Sequence, residues 1–169
     1  FRPLSPADVA AVLADHGVAD PGRVDRLVRL AGGSPGQALA LADESLWQFR
    51  ETLLAALTAP RPDAVALAAA WARFVEDAGK ESAAQRARAA VVVRLLADVL
   101  RTALRLSLGA AAGEDDRLRP LADRLGPDAL ADRLEACAEA EVRIDRKVQV
   151  ALVVESLSDV LCRRAEGLS

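Results

Sequence analysis

The chain has 169 residues, of which 52% are apolar, 28% charged and only 3% aromatic. At roughly 100 to 200 residues per domain this means one domain or two small ones; it is too apolar for a disordered chain and too poor in aromatic and β-branched residues for a β-sandwich. With 22 basic and 25 acidic residues the net charge is -3, which supplies no global field to draw in nucleic acid or an anionic membrane.

Alanine, leucine and arginine dominate, so the expected fold is all-α. Ser5-Pro6-Ala7-Asp8 reads as a helix start, with Val9, Val12 and Leu13 on the apolar face and Gly17 as the stop. Asp20-Pro21 starts a second helix carrying Val24, Leu27, Val28 and Ala31, ended by Gly32-Gly33, and Ser34-Pro35 starts a short third through Leu39 and Leu41. These three form a small bundle over residues 1–43. The divider, Ala42 to Ser45, has no Pro or Gly, and the third and fourth helices are expected to be nearly continuous across it.

Residues 44–169 are expected to form a second bundle of five to six helices. It opens with Leu46, Phe49, Leu53, Leu54 and Leu57 at spacings of three and four, breaks at Ala59-Pro60-Arg61-Pro62 and resumes from Asp63 to Asp77. The longest predicted helix runs from Ser82 to Leu108. Val92, Leu95, Leu96, Val99, Leu100, Leu104 and Leu108 cover most of its girth, and Arg94, Asp98, Arg101 and Arg105 form a narrow polar stripe. After a loop over Gly109 to Asp116, a short helix should reach Leu125. A new one starts at Gly126-Pro127-Asp128 with Leu130, Leu134, Cys137 and Ile144 inward, and the last, Val148 to Arg164, turns Leu152, Val153, Leu157, Val160 and Leu161 inward.

Chemistry-bearing patterns are sparse. Asp115-Asp116, Glu135, Glu139 and Glu141 read as solvated surface with helical pairs such as Glu139 to Arg143 and Asp159 to Arg163. No GxSxG elbow accompanies His16, and Cys137 and Cys162 lack any zinc-ligand spacing. Gly32-Gly33-Ser34-Pro35-Gly36 opens a helix without the lysine or the preceding strand of a phosphate loop. Arg23, Arg26 and Arg29 read as a solvated face rather than a phosphate track, because Asp20 and Asp25 lie among them. Trp47 and Trp71 are expected to anchor the core, pack bundle to bundle or face another subunit. The longest apolar run, Ala64 to Ala72, is nine residues, against the roughly 18 that span a bilayer. A first residue Phe1 and the absence of Met suggest a piece of a longer protein.

The opening Phe1-Arg2-Pro3-Leu4-Ser5-Pro6 and the run from Leu30-Ala31-Gly32-Gly33-Ser34-Pro35-Gly36 to Leu39 resemble the lid that follows the AAA+ core in bacterial DNA polymerase III clamp-loader subunits. Arg94 to Gly109, Leu134-Glu135-Ala136 to Ile144-Asp145-Arg146 and Leu152 to Leu157 resemble the collar of the same family. In ATP-hydrolysing relatives an arginine follows the Gly-Ser step by two residues and touches the nucleotide phosphate; Gly36 stands there, so the resemblance is to the non-hydrolysing delta prime type rather than to gamma/tau motors. Lys147 and Gln149 stand where delta prime chains often carry asparagines.

The resemblance implies a cytoplasmic, non-catalytic part without a cofactor. Its collar would pack against other loader subunits, and it would meet the sliding clamp and primed DNA only through the parent complex. On that reading the subunit interface is expected at Arg94, Arg101, Arg105, Leu152 and Leu157. The rival expectations are a gamma/tau-type lid and collar, and an unrelated helical adaptor or DNA-binding module.

Overall fold

The computed structural model describes residues 3–110 and 116–163, and all its regular elements are helices. Phe1 and Arg2 of the opening motif, positions 111–115 of the expected loop including Asp115, and Arg164 of the last predicted helix lie outside the described residues. The chain divides into two compact units, residues 1–49 and 50–169. The boundary falls inside the fourth helix.

In the first unit, α1 (Pro6–Asp15), α2 (Pro21–Ala31) and α3 (Pro35–Leu41) begin the same way: an oxygen-bearing cap followed by proline. Ser5 Oγ accepts the Asp8 amide at 3.2 Å, Asp20 accepts the Arg23 amide at 2.6 Å, and Ser34 Oγ accepts the Gln37 amide at 3.4 Å. Each cap satisfies an amide that the first helical turn leaves without a partner, and the proline gives up an N–H that had none. Val9, Leu13, Leu27, Ala31, Ala38 and Leu41 are buried.

The Gly-Gly pair has a structural job at each position. Gly32 ends α2 in the left-handed conformation, with φ 55°. Gly33, with φ 83°, lies under the incoming chain: its carbonyl accepts the Leu4 amide at 2.9 Å, and a Cβ on it would stand 2.6 Å from that of Pro3. No side chain fits there.

The expected near-continuity of α3 into α4 (Glu44–Thr58) is not what forms. Ala42 and Asp43 separate the two helices, because Asp43 Oδ1 takes both the Ser45 amide, at 2.9 Å, and its hydroxyl, at 2.8 Å. A short acidic side chain before a serine offers the backbone a turn that competes with helix.

The second unit buries Leu53, Leu54 and Leu57 of α4, Leu67, Trp71 and Val75 of α5 (Ala64–Glu76), and one whole side of α6 (Ser82–Ser107). At 26 residues, α6 is about 39 Å long. A 3-10 turn (Asp116–Leu118) leads into α7 (Arg119–Asp145), which is interrupted at Gly126, with φ 70° and ψ 173°, just before Pro127. The break stands where the Gly-Pro-Asp signal put it. After a turn at Lys147, α8 (Val150–Cys162) closes the unit. The principal packing pairs are α6 with α7 and α5 with α8. Leu108 does not complete the apolar girth of α6: it caps the helix and is 70% exposed. No helix among the described residues is long and apolar enough to cross a membrane.

Candidate subunit interface

Arg94, Arg101 and Arg105 share one face of α6 with Leu108. Arg94 Nε lies 3.3 Å from Glu141 Oε1 on α7, so its charge is already partly answered within the unit. Arg101 and Arg105 are exposed, and the Arg105 guanidinium donates a 3.2 Å hydrogen bond to Thr102 Oγ1. The two leucines expected on the same surface have different fates. Leu152 is 51% exposed, whereas Leu157 is 3% exposed and belongs to the core, so of the pair only Leu152 is available at the surface of α8.

Gly36 stands exposed in the first turn of α3, with nothing within 4 Å of where a Cβ would sit. The basic strip on α2 divides: Arg29 is exposed, as expected of a solvated face, whereas Arg23 and Arg26 are half-buried. Arg23 donates to Ala42 O at 2.7 Å and pairs with Glu44 at 3.2 Å, and both Arg23 and Arg26 lie over the Trp47 ring, at 6.0 and 5.7 Å from its centre. The indole Nε1 donates to Leu41 O at 2.8 Å. Two cations and an aromatic ring thus brace the α3–α4 junction, a role for Trp47 that its apolar neighbours in sequence did not suggest.

Two further arginines act as helix caps. Arg124 donates through Nη1 to Ala59 O and through Nη2 to Leu57 O, at the C-terminal end of α4. Arg133, only 5% exposed, replaces the expected Leu134 on the inner face of α7. Its guanidinium donates to Leu161 O at 3.3 Å, to Ala129 O at 2.8 Å and to Arg163 O. Burial, then the neighbouring Arg124 charge, pushes the Arg133 pKa down, while three carbonyls and the negative end of α8 hold the cation. The available sequence signal was spacing: Leu130, Arg133, Cys137 and Ala140 recur at three and four.

A cleft of about 390 Å³ opens beside these caps, between Pro60–Pro62 and Cys162–Arg163. Burial foremost, and the nearby Asp63, push the Cys162 thiol up, and Cys137 is pushed up to about 12 by burial. Both shifts favour the thiol over the thiolate, which is the attacking form of a cysteine. Among the described residues no cluster of three or more His, Cys, Asp or Glu is placed to hold a metal ion.

The expected helical ion pairs are replaced. Arg143 reaches across to Ser156 Oγ at 3.3 Å instead of to Glu139, and Arg163 meets Asp159 through the backbone at 3.0 Å. No protein-family model, curated protein or solved structure matches this chain.

Proposed function

We propose that the chain is the lid and collar of a bacterial DNA polymerase III clamp-loader subunit of the delta prime type. It would be a non-catalytic part that holds loader subunits together while the parent complex places the sliding clamp on primed DNA in the cytoplasm. The observation that carries this reading is the surface of α6: exposed arginines at 101 and 105 end at an exposed Leu108, on a helix whose opposite side is buried in its own unit. Apolar contact with a basic rim suits a protein partner, with burial supplying affinity and charge fixing register. The way the Leu30–Leu39 segment folds also supports it, with Gly33 under the incoming chain and Gly36 in place of a phosphate-sensing arginine.

The test is reconstitution. The chain, joined to whatever precedes it in its gene, is mixed with the other loader subunits and followed by gel filtration and by clamp loading on primed DNA. Charge reversal at Arg101 and Arg105 should weaken assembly while leaving helicity and melting unchanged. A gamma/tau-type motor would instead show ATP hydrolysis dependent on the preceding core. A free-standing adaptor or DNA-binding module would not assemble with loader subunits at all.

A further inference from the structure

The polar stripe of α6 has a counterpart on the same chain. On α6, Arg94, Asp98, Arg101, Arg105 and Leu108 follow one another at steps of four, three, four and three residues. On α7, Asp128, Asp132, Glu135, Glu139 and Val142 do the same. Steps of four and three keep side chains on one face of a helix over several turns, which is the spacing by which two helices lie along each other. The α7 stripe faces solvent, and so does the α6 stripe from Arg101 onward, while Arg94 and Asp98 are half-buried. Arg101, Arg105 and Leu108 are exposed, and so are all five residues on α7, with Leu108 at 70% and Val142 at 47%. The α7 stripe lies opposite the buried row Leu130, Arg133, Cys137, Ala140 and Ile144, so among the described residues it is not part of its own unit's core.

The charges and the apolar ends match in one register. With the helices parallel, Arg94 meets Asp128, Arg101 meets Glu135, Arg105 meets Glu139, and Leu108 meets Val142. Asp98 against Asp132 is the one like-charged step, and Asp98 is flanked by Arg94 and Arg101. The antiparallel register sets the two apolar ends against charges. Within one chain the stripes do not join, since α6 meets α7 through buried faces and the Arg94–Glu141 pair at their edge.

We infer that this surface binds a second copy of this chain, the α6 stripe of one copy lying along the α7 stripe of the other. The inference goes beyond the proposed function, which concerns other subunits. Because Arg94 is shared with Glu141 of its own chain, the stretch from Arg101 to Leu108 carries most of the contact. Electrostatic pairing of this kind fixes partner and register and is screened by salt.

A charge swap on the full chain tests it by sedimentation equilibrium. The wild-type chain should self-associate with rising concentration at low salt, and less at high salt. Arg101→Glu with Arg105→Glu should weaken association by about tenfold or more, because two attractions become repulsions. Glu135→Arg with Glu139→Arg should do the same. Mixing the two double variants should restore association, since each then offers the stripe the other needs. Unchanged circular dichroism of both variants excludes unfolding as the cause. A wild-type chain that stays monomeric at millimolar concentration overturns the inference, and so does a mixture no more associated than its components. Loss of binding to other loader subunits in the Arg101/Arg105 variant, with a monomeric wild type, would overturn self-association and leave the functional reading standing. Self-association without loader binding would do the reverse.

Discussion

The two units specify their helices by different means. In the first, three helices of 10, 11 and 7 residues each begin with a side-chain cap and a proline. In the second, α5 keeps such a cap, Asp63 accepting the Ala66 amide at 3.0 Å, but α6, α7 and α8 begin with no side-chain cap bond, and α6 runs for 26 residues without a break. A helix of seven residues cannot recover its nucleation cost from internal hydrogen bonds, so local signals at its ends must help to hold it. A helix with ten buried residues, as in α6, is held by what it packs against. The lesson is that local substitutions should tell in the first unit and core deletions in the second.

The largest expected effect is therefore in the second unit. Trp71 is fully buried on α5, and Trp71→Ala should cost about 3–5 kcal/mol, the range for deleting a large aromatic from a core. Urea unfolding followed by circular dichroism measures it. A loss below about 1 kcal/mol would mean that burial does not dominate there.

In the first unit the strongest single change should be the smallest in size. Gly33→Ala adds one methyl group where φ is 83° and the new carbon would stand 2.6 Å from Pro3 Cβ. Because the incoming backbone must move, the expected cost is about 1–3 kcal/mol. Exchange of the Leu4 amide, bonded to Gly33 O at 2.9 Å, should quicken with it. The same alanine at Gly36, where a Cβ meets nothing, should have no such cost and serves as the control.

Cap removal sharpens the contrast. Ser34→Ala should destabilise by about 1 kcal/mol, because the Gln37 amide loses its acceptor. Glu81→Ala, at the start of α6 where no side-chain cap bond is made, should stay within about 0.5 kcal/mol. Equal effects at the two positions would contradict the division of labour between caps and core.

These sites also show what was legible in the sequence. The Ser-Pro and Asp-Pro starts, the Gly126-Pro127 break and the apolar rows of α4, α5 and α6 follow from local rules and recur in the structure. What was hidden was where cations go. Arg23, Arg124 and Arg133 look like surface charges in any window of sequence, yet each binds main-chain carbonyls that are distant along the chain. Backbone acceptors at helix ends have no residue-type signature, so folding has to bring them to the arginine before the role exists. The same holds for Leu157: the α8 periodicity names an apolar face, but only packing separates it from exposed Leu152.

The smallest expected effect lies at a charge pair that joins distant parts of the second unit. Arg117 Nη1 stands 2.8 Å from Glu51 Oε2, and buried Arg50 lies 3.4 Å from the other carboxylate oxygen. The hydrogen bond from Arg117 is the chief reason that the Glu51 pKa falls below its ordinary value, against an opposing push from burial, with the Arg117 and Arg50 charges adding to the fall. A carboxyl whose pKa is lower folded than unfolded stabilises the fold when ionised. Its contribution is complete above the unfolded pKa and fades as the pH drops through the lowered folded value. Since both Glu51 and Arg117 are more than half exposed, with side chains 55% and 59% accessible, solvent and salt should keep the contribution below about 1 kcal/mol. Glu51→Gln should thus lower the melting temperature slightly at neutral pH. The difference from wild type should shrink in high salt and on acidification through the carboxylate range. A difference that grew on acidification would mean that Glu51 is bound more tightly when protonated, and that Arg117 is not what holds this helix to the turn that carries it.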